Sequence, residues 1–261
     1  MIIRTDSDET IKEDINMLLY QKEIEVITTV EKTFIDNNLG KKNITDRHYE
    51  IVDSIIDNHL NVEFISEVYL YHLSRQLQEP NHLYPLNRLL VEENEMTNFL
   101  KKYDIKFLKG EDSKIELYYK NEHINIKHNK YNGEWYYLFN RLEKDFCING
   151  FTFLEDIQNN QSMYYNNLER SPEIIRDLEK FFNIKLQNEY YERSKFYCCV
   201  IKVPIEEIIF DGCTELKSKS DKARYLINRA IMHVLGMSDN PIIRLSDNKS
   251  VKVDRIICYS N

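Results

Sequence analysis

The chain has 261 residues, 42% of them apolar and 30% charged, with 35 basic and 43 acidic side chains and a formal charge of −8. That length and apolar share can bury a core and exclude a wholly disordered chain, and six glycines and five prolines exclude a collagen-like or linker-rich one. Net acidity, with basic residues mixed among acids, argues against a surface that coats nucleic acid.

No apolar run approaches the roughly 20 residues that cross a bilayer. A soluble protein with no membrane partner is expected. The first ten residues are acidic and lack the basic start and long apolar core of a signal peptide, so the cytoplasm is the expected compartment.

From Asp8 to about Asp36, apolar residues such as Ile11, Ile15, Leu18 and Val30 keep helical steps, and Gly40 suits a left-handed stop. Thr45 is placed to cap a second helix ending near Leu60. At Val62 the pattern turns β-rich, with the stretch from Val62 to Arg75 alternating loosely. Helical spacing returns from His82 to Tyr103, with Pro85 near its start. Three short β-like runs then begin at Ile105, Ile115 and His123, and Lys120–Glu122 reads as a hairpin turn.

Residues 130–170 carry Trp135 with many Tyr, Phe and Asn, a composition that suits a core-capping loop or a ligand pocket. Ser171-Pro172-Glu173 opens a helix that should end near Asn183. Phe196 to Val203 is the strongest strand, with Phe196, Cys198 and Val200 on one face and Tyr197, Cys199 and Ile201 on the other. Both faces are apolar, as a strand covered on both sides requires. Ser220 should cap a helix through Leu235, and strands at Pro241–Ser246 and Val251–Ser260 close the chain.

This order lacks regular βαβ alternation. It predicts an α+β protein: a helical N-terminal segment over residues 1–61, followed over 62–261 by a mixed or antiparallel sheet domain with interspersed helices. Five cysteines without Cys-x-x-Cys spacing, and without a histidine at ligand spacing, read as buried reduced thiols and not as a zinc site. The common phosphate-loop, dinucleotide, serine-hydrolase and zinc-protease motifs are absent.

The informative segment is Tyr69-Leu70-Tyr71-His72-Leu73-Ser74-Arg75, an aromatic strand ending in His-x-Ser-Arg. It resembles the first motif of the ADP-ribosyltransferase superfamily, in its histidine–tyrosine–glutamate branch. There, a strand-borne histidine and a serine or threonine bind NAD, a tyrosine follows on a later strand and a glutamate on one further on. Tyr118 or Tyr119, then Glu206 or Glu207, fill that order. The family's glycine after the histidine is Leu73 here.

The resemblance implies NAD as substrate and no need of a metal. His72 would hold a ribose hydroxyl, Ser74 the carboxamide and Arg75 the pyrophosphate. A tyrosine would stack on nicotinamide, and an ionised Glu206 or Glu207 would stabilise the oxocarbenium-like transition state while the nicotinamide–ribose bond breaks. ADP-ribose would then pass to a protein or nucleic-acid target, as in a bacterial or phage conflict effector. Two other classes stay open from the residues alone: a non-catalytic recognition module presenting Tyr131–Asn167, and a metal-free RNA-processing enzyme.

Overall fold

A computed structural model describes residues 1–20, 24–111, 114–126, 133–159, 163–237 and 240–258. The protein is α+β. In chain order its strands and helices are β1 (Ile2–Ile3), α1 (Asp8–Met17), α2 (Val26–Asp36), α3 (Asp46–His59), β2 (Glu67–Gln76), β3 (His82–Leu83), α4 (Leu86–Val91), α5 (Glu95–Lys101), β4 (Ile105–Lys109), β5 (Ile115–Tyr119), β6 (Glu122–Ile124) and α6 (Gly133–Lys144). There follow β7 (Asn149–Phe151), α7 (Leu154–Asn159), α8 (Met163–Arg170), α9 (Glu173–Phe182), α10 (Gln187–Arg193), β8 (Lys195–Pro204), β9 (Ile208–Phe210), α11 (Lys219–Val234), β10 (Ile242–Leu245), β11 (Val251–Lys252) and β12 (Arg255–Cys258). No helix among the described residues is long and apolar enough to cross a membrane.

Two compact units form. The first takes Met1–Tyr71, Asn149–Asn159 and Lys202–Arg244, and the second takes His72–Ile148, Asn160–Ile201 and Leu245–Asn261. The three N-terminal helices are present, but they share the first unit with later strands, so the chain does not divide at residue 61. The division falls inside β2 and inside β8.

In the first unit β1 runs parallel to β2, β7 pairs antiparallel with β2 and β10, and β9 lies beyond β10. Gly150 lets β7 approach β2 closely: a Cβ there would stand 2.5 Å from Leu70 Cδ2 and 2.6 Å from the Tyr71 carbonyl oxygen. Helix α11 buries Ala223, Leu226, Ile227, Ala230 and Ile231, a stripe of three- and four-residue steps. Removing such side chains from water stabilises by roughly 1.5–3 kcal/mol for each large one.

In the second unit β4, β5 and β6 make a meander, and the turn between β5 and β6 is built on Lys120 (φ 52°) and Asn121 (φ 65°). Two positive φ values in succession mark a primed turn, whose twist suits a hairpin. The meander packs into one apolar core with Phe99, Leu138, Ile175, Leu178 and Tyr190. Strand β8 is buried from Phe196 through Ile201 and pairs antiparallel with β12.

This unit also holds a polar cluster. Arg141 on α6 pairs with Asp145 at 2.6 Å and reaches α9 at Glu173 (2.9 Å) and Asp177 (3.0 Å). Arg176 adds a second cation to Glu173 and Asp177. Burial pushes the Asp145 carboxyl up, against the pull of Arg141.

Several local expectations shift. The run from Asp8 to Asp36 is two helices: the chain leaves α1 at Leu18 so that Leu19 can bridge Leu60, with Tyr20 N–H on the His59 carbonyl at 3.0 Å. The stretch after Pro85 also breaks, because the Asn94 side chain accepts from Met96 N–H (2.9 Å) and Thr97 N–H (3.1 Å) and starts α5 afresh. The left-handed residue after α2 is Asn38 (φ 57°) and not Gly40. Ser218, not Ser220, caps α11, accepting from Asp221 N–H at 3.0 Å. Thr45 does cap α3, its own N–H donating to His48 Nδ1 at 3.1 Å. The terminal strand divides into β11, which pairs with β3, and β12, which pairs with β8.

Candidate functional site

Strand alternation decides what the His-x-Ser-Arg segment presents. His72, Ser74 and Gln76 share one face of β2 and are half-buried, while Leu73 and Arg75 point to the other face and are buried. On the face of His72, β2 begins with buried Val68 and Leu70, so apolar positions give way to a polar row. The Gln76 amide donates to Ser74 Oγ at 3.2 Å. That bond uses an oxygen lone pair and leaves the serine hydrogen able to donate.

Arg75 is a structural residue of the second unit. It is 1% exposed. Its guanidinium donates to the carbonyls of Glu169, Tyr191 (3.2 Å) and Ser194 (2.6 Å) and lies 4.1 Å from the centre of the Tyr191 ring. Burial pulls its pKa down from the ordinary arginine value. A side chain so enclosed offers no surface to the pyrophosphate expected of it, and it serves instead to tie β2 to α10 and the end of α8.

The tyrosine candidates sit on β5. Tyr118 donates to Glu116 Oε2 at 3.1 Å and packs against the His123 ring at 5.3 Å, and the bond to Glu116 raises its pKa. Glu116 and His123 line a cavity of about 190 Å³. Tyr119 stacks on Phe182 at 4.2 Å. Neither tyrosine makes its hydrogen bond or ring contacts with His72.

Glu206 and Glu207 are exposed on the short helical turn Ile205–Glu207 that follows Pro204. Lys222 braces that turn by donating to the Glu206 carbonyl at 2.6 Å. The glutamates belong to the first unit, and His72, Ser74 and both tyrosines to the second. Neither unit by itself contains the expected set. In the proposed recognition surface, residues 131–132 and 160–162 lie outside the described residues.

Two features of the first unit carried no sequence motif. One gathers Asp8 on α1, Glu155 and Asp156 on α7, and His233 on α11. Ligand atoms of Asp8, Glu155 and His233 all lie within 4.8 Å of one another. The His233 side chain is 8% exposed, with Nε2 3.6 Å from Asp8 and Nδ1 3.4 Å from Asp156. Its ring lies flat on Phe153, centroids 4.2 Å apart and planes 9° apart.

The backbone explains how these elements meet. Asn240 Oδ1 accepts from the N–H groups of Thr152 and Phe153, both at 2.9 Å, and Leu154 N–H donates to the Thr5 carbonyl at 3.0 Å. These bonds seat Phe153 under the imidazole and bring the start of α7 to the start of α1. Since Asp8, Glu155 and His233 are separated by 147 and 78 positions (155 − 8 and 233 − 155), no ligand-spacing pattern could reveal them.

The other feature is a cleft of about 380 Å³. The Arg229 guanidinium on its wall lies 4.3 Å from the Tyr49 ring centre and 4.8 Å from that of Tyr225.

No family model, curated protein or solved structure matches the chain.

Proposed function

We propose that the protein binds NAD along the His72–Ser74–Gln76 row, as the cofactor step of an ADP-ribosyltransferase-like reaction. The observation that carries this reading is the shared face. A His-x-Ser spacing on a strand aims both side chains the same way, and in β2 both are half-accessible. An imidazole nitrogen suits a ribose hydroxyl. The Ser74 hydrogen, left able to donate by Gln76, suits the carboxamide oxygen of nicotinamide.

A half-buried row of imidazole, hydroxyl and amide groups on one strand face offers the few well-placed polar groups that orient a ligand rich in hydroxyls and amides. Arg75 takes no part in recognition in this reading. The acceptor of ADP-ribose is a protein or nucleic-acid target of unspecified sequence.

Calorimetric titration with NAD tests the proposal, with ADP-ribose and nicotinamide as fragments. Saturable NAD binding is expected, weakened about tenfold or more by Ser74→Ala and by His72→Ala, each with an unchanged melting temperature. Losing one good hydrogen bond of about 1.4 kcal/mol is a factor of ten. Absence of NAD binding at millimolar concentration, or equal affinity in the double variant, would overturn it and leave the recognition-module reading ahead.

A further inference from the structure

We propose that Asp8, Glu155 and His233 bind a divalent transition-metal ion in the first unit, with Asp156 as the residue that orients the imidazole. The site is separate from the NAD reading and shares no residue with it.

The distances come first. Two metal–ligand bonds of about 2.0–2.2 Å span at most roughly 4.4 Å between donors. A set whose ligand atoms all fall within 4.8 Å of one another needs only a few tenths of an ångström of side-chain adjustment to close on one ion. The donors come from three elements, α1, α7 and α11, so the geometry is not a by-product of neighbouring positions on one helix.

The histidine supplies an independent observation. It is more than nine-tenths buried and aimed into the group, with its ring orientation fixed by Phe153. Nε2 faces Asp8 and Nδ1 faces Asp156. A ligating histidine characteristically gives its second ring nitrogen to a carboxylate, which fixes the tautomer and raises the basicity of the ligating nitrogen. His233 is placed for that arrangement, with one nitrogen 3.6 Å from the ligand carboxylate of Asp8 and the other 3.4 Å from that of Asp156.

Charge points the same way. Three carboxylates meet one imidazole, and among the described residues no lysine or arginine pairs with Asp8, Glu155 or Asp156. Three acidic side chains gathered without a basic residue beside them make a place where a divalent ion would supply the missing positive charge. One nitrogen and two carboxylate oxygens form a borderline donor set, suited to Zn²⁺, Mn²⁺ or Co²⁺ more than to Mg²⁺. Three protein ligands leave at least one position for water, the pattern of sites that polarise or activate a bound oxygen.

The test uses the whole chain, stripped with chelator and titrated with Co²⁺ and Mn²⁺ in the absence of NAD. One equivalent of Co²⁺ should bind with oxygen and nitrogen ligation, showing weak visible bands and no strong near-ultraviolet thiolate band. The melting temperature should rise in step with occupancy. Glu155→Gln, at a half-exposed position where the fold tolerates change, should weaken binding about tenfold or more. Asp156→Asn should weaken it by about 10–100-fold if it acts through the imidazole. Glu9→Gln, exposed on the same helix as Asp8, should change nothing.

No stoichiometric binding, a thiolate band placing the ion on cysteine, or unaltered affinity in Glu155→Gln would each overturn the proposal. None of these outcomes bears on NAD binding.

Discussion

Each unit gathers three carboxylates around one nitrogen-bearing side chain, and the two gatherings differ in whether the positive charge is permanent. In the second unit Asp145, Glu173 and Asp177 surround Arg141, and Arg176 contributes a second guanidinium. Arginine stays protonated in any protein environment, so this cluster always sets two positive charges against its three acids, and it joins α6 to α9. In the first unit Asp8, Glu155 and Asp156 gather at His233, which offers an imidazole in place of a guanidinium. The same count of acids is thus structural in one place and open to a cation in the other.

Removing the central residue of each cluster is the strongest way to break this comparison. Arg141→Met takes the cation from Asp145 and leaves Glu173 and Asp177, the latter 4% exposed, to Arg176 alone, and should cost about 3 kcal/mol in urea denaturation. His233→Gln should cost only about 1 kcal/mol, since it removes no permanent charge. Equal losses in the two variants would show that His233 is held as a permanent ion pair, and the contrast would fail.

A smaller effect sharpens the picture with a carboxylate satisfied mainly by backbone. Burial raises the Glu179 pKa, but bonds from the N–H groups of Gln187 (2.8 Å) and Leu186 (2.7 Å) outweigh it, and the net shift is downward. A depressed folded pKa gives stability that is full above the ordinary value near 4.5 and is lost as the pH falls through the lower folded value. Glu179→Gln should therefore cost about 1–2 kcal/mol at pH 7, with the gap to wild type closing in acid. A gap that is constant with pH would assign the effect to packing.

The smallest effect expected is that of Asp145→Asn. Burial raises this carboxyl's pKa, so the contribution of its shift is present below the ordinary value near 3.8 and lost as the pH rises through the raised one. At pH 7 the substitution gives up an ion pair and also a buried charge, and stability should move by less than about 1 kcal/mol. Relative to wild type, the variant should gain as the pH rises from 3 to 6, which denaturation at several pH values would read.

The sequence made some of this legible for definite reasons. The run Phe196–Ile201 has no polar residue on either face, and only a strand covered on both sides tolerates that; the structure buries all six. Pro172 and Asn183 bracket α9 as their backbone preferences require, Asn183 sitting at φ 52°. Helix ends were harder, since Leu18 and Asn94 interrupt helical spacing through a distant bridge and a side-chain cap that local periodicity does not register.

The site was partly legible. The shared face of His72 and Ser74 follows from strand periodicity, while the sealing of Arg75 by three carbonyls depends on residues about 95–120 positions away. The Asp8–Glu155–His233 group was invisible for the same reason: its members meet through the packing of α1 on α11 and through the bonds that the Asn240 side chain and the Thr5 carbonyl make to residues 152–154.

The adjacent thiols of Cys198 and Cys199, both fully enclosed on opposite faces of β8, give the protein an internal clock. An alkylating reagent cannot reach either sulfur until the strand separates from its neighbours, whereas Cys147 and Cys213, at half-buried positions, should label sooner. The delay between fast and slow labelling of the native protein reads how often β8 opens, with no probe attached and no denaturant added.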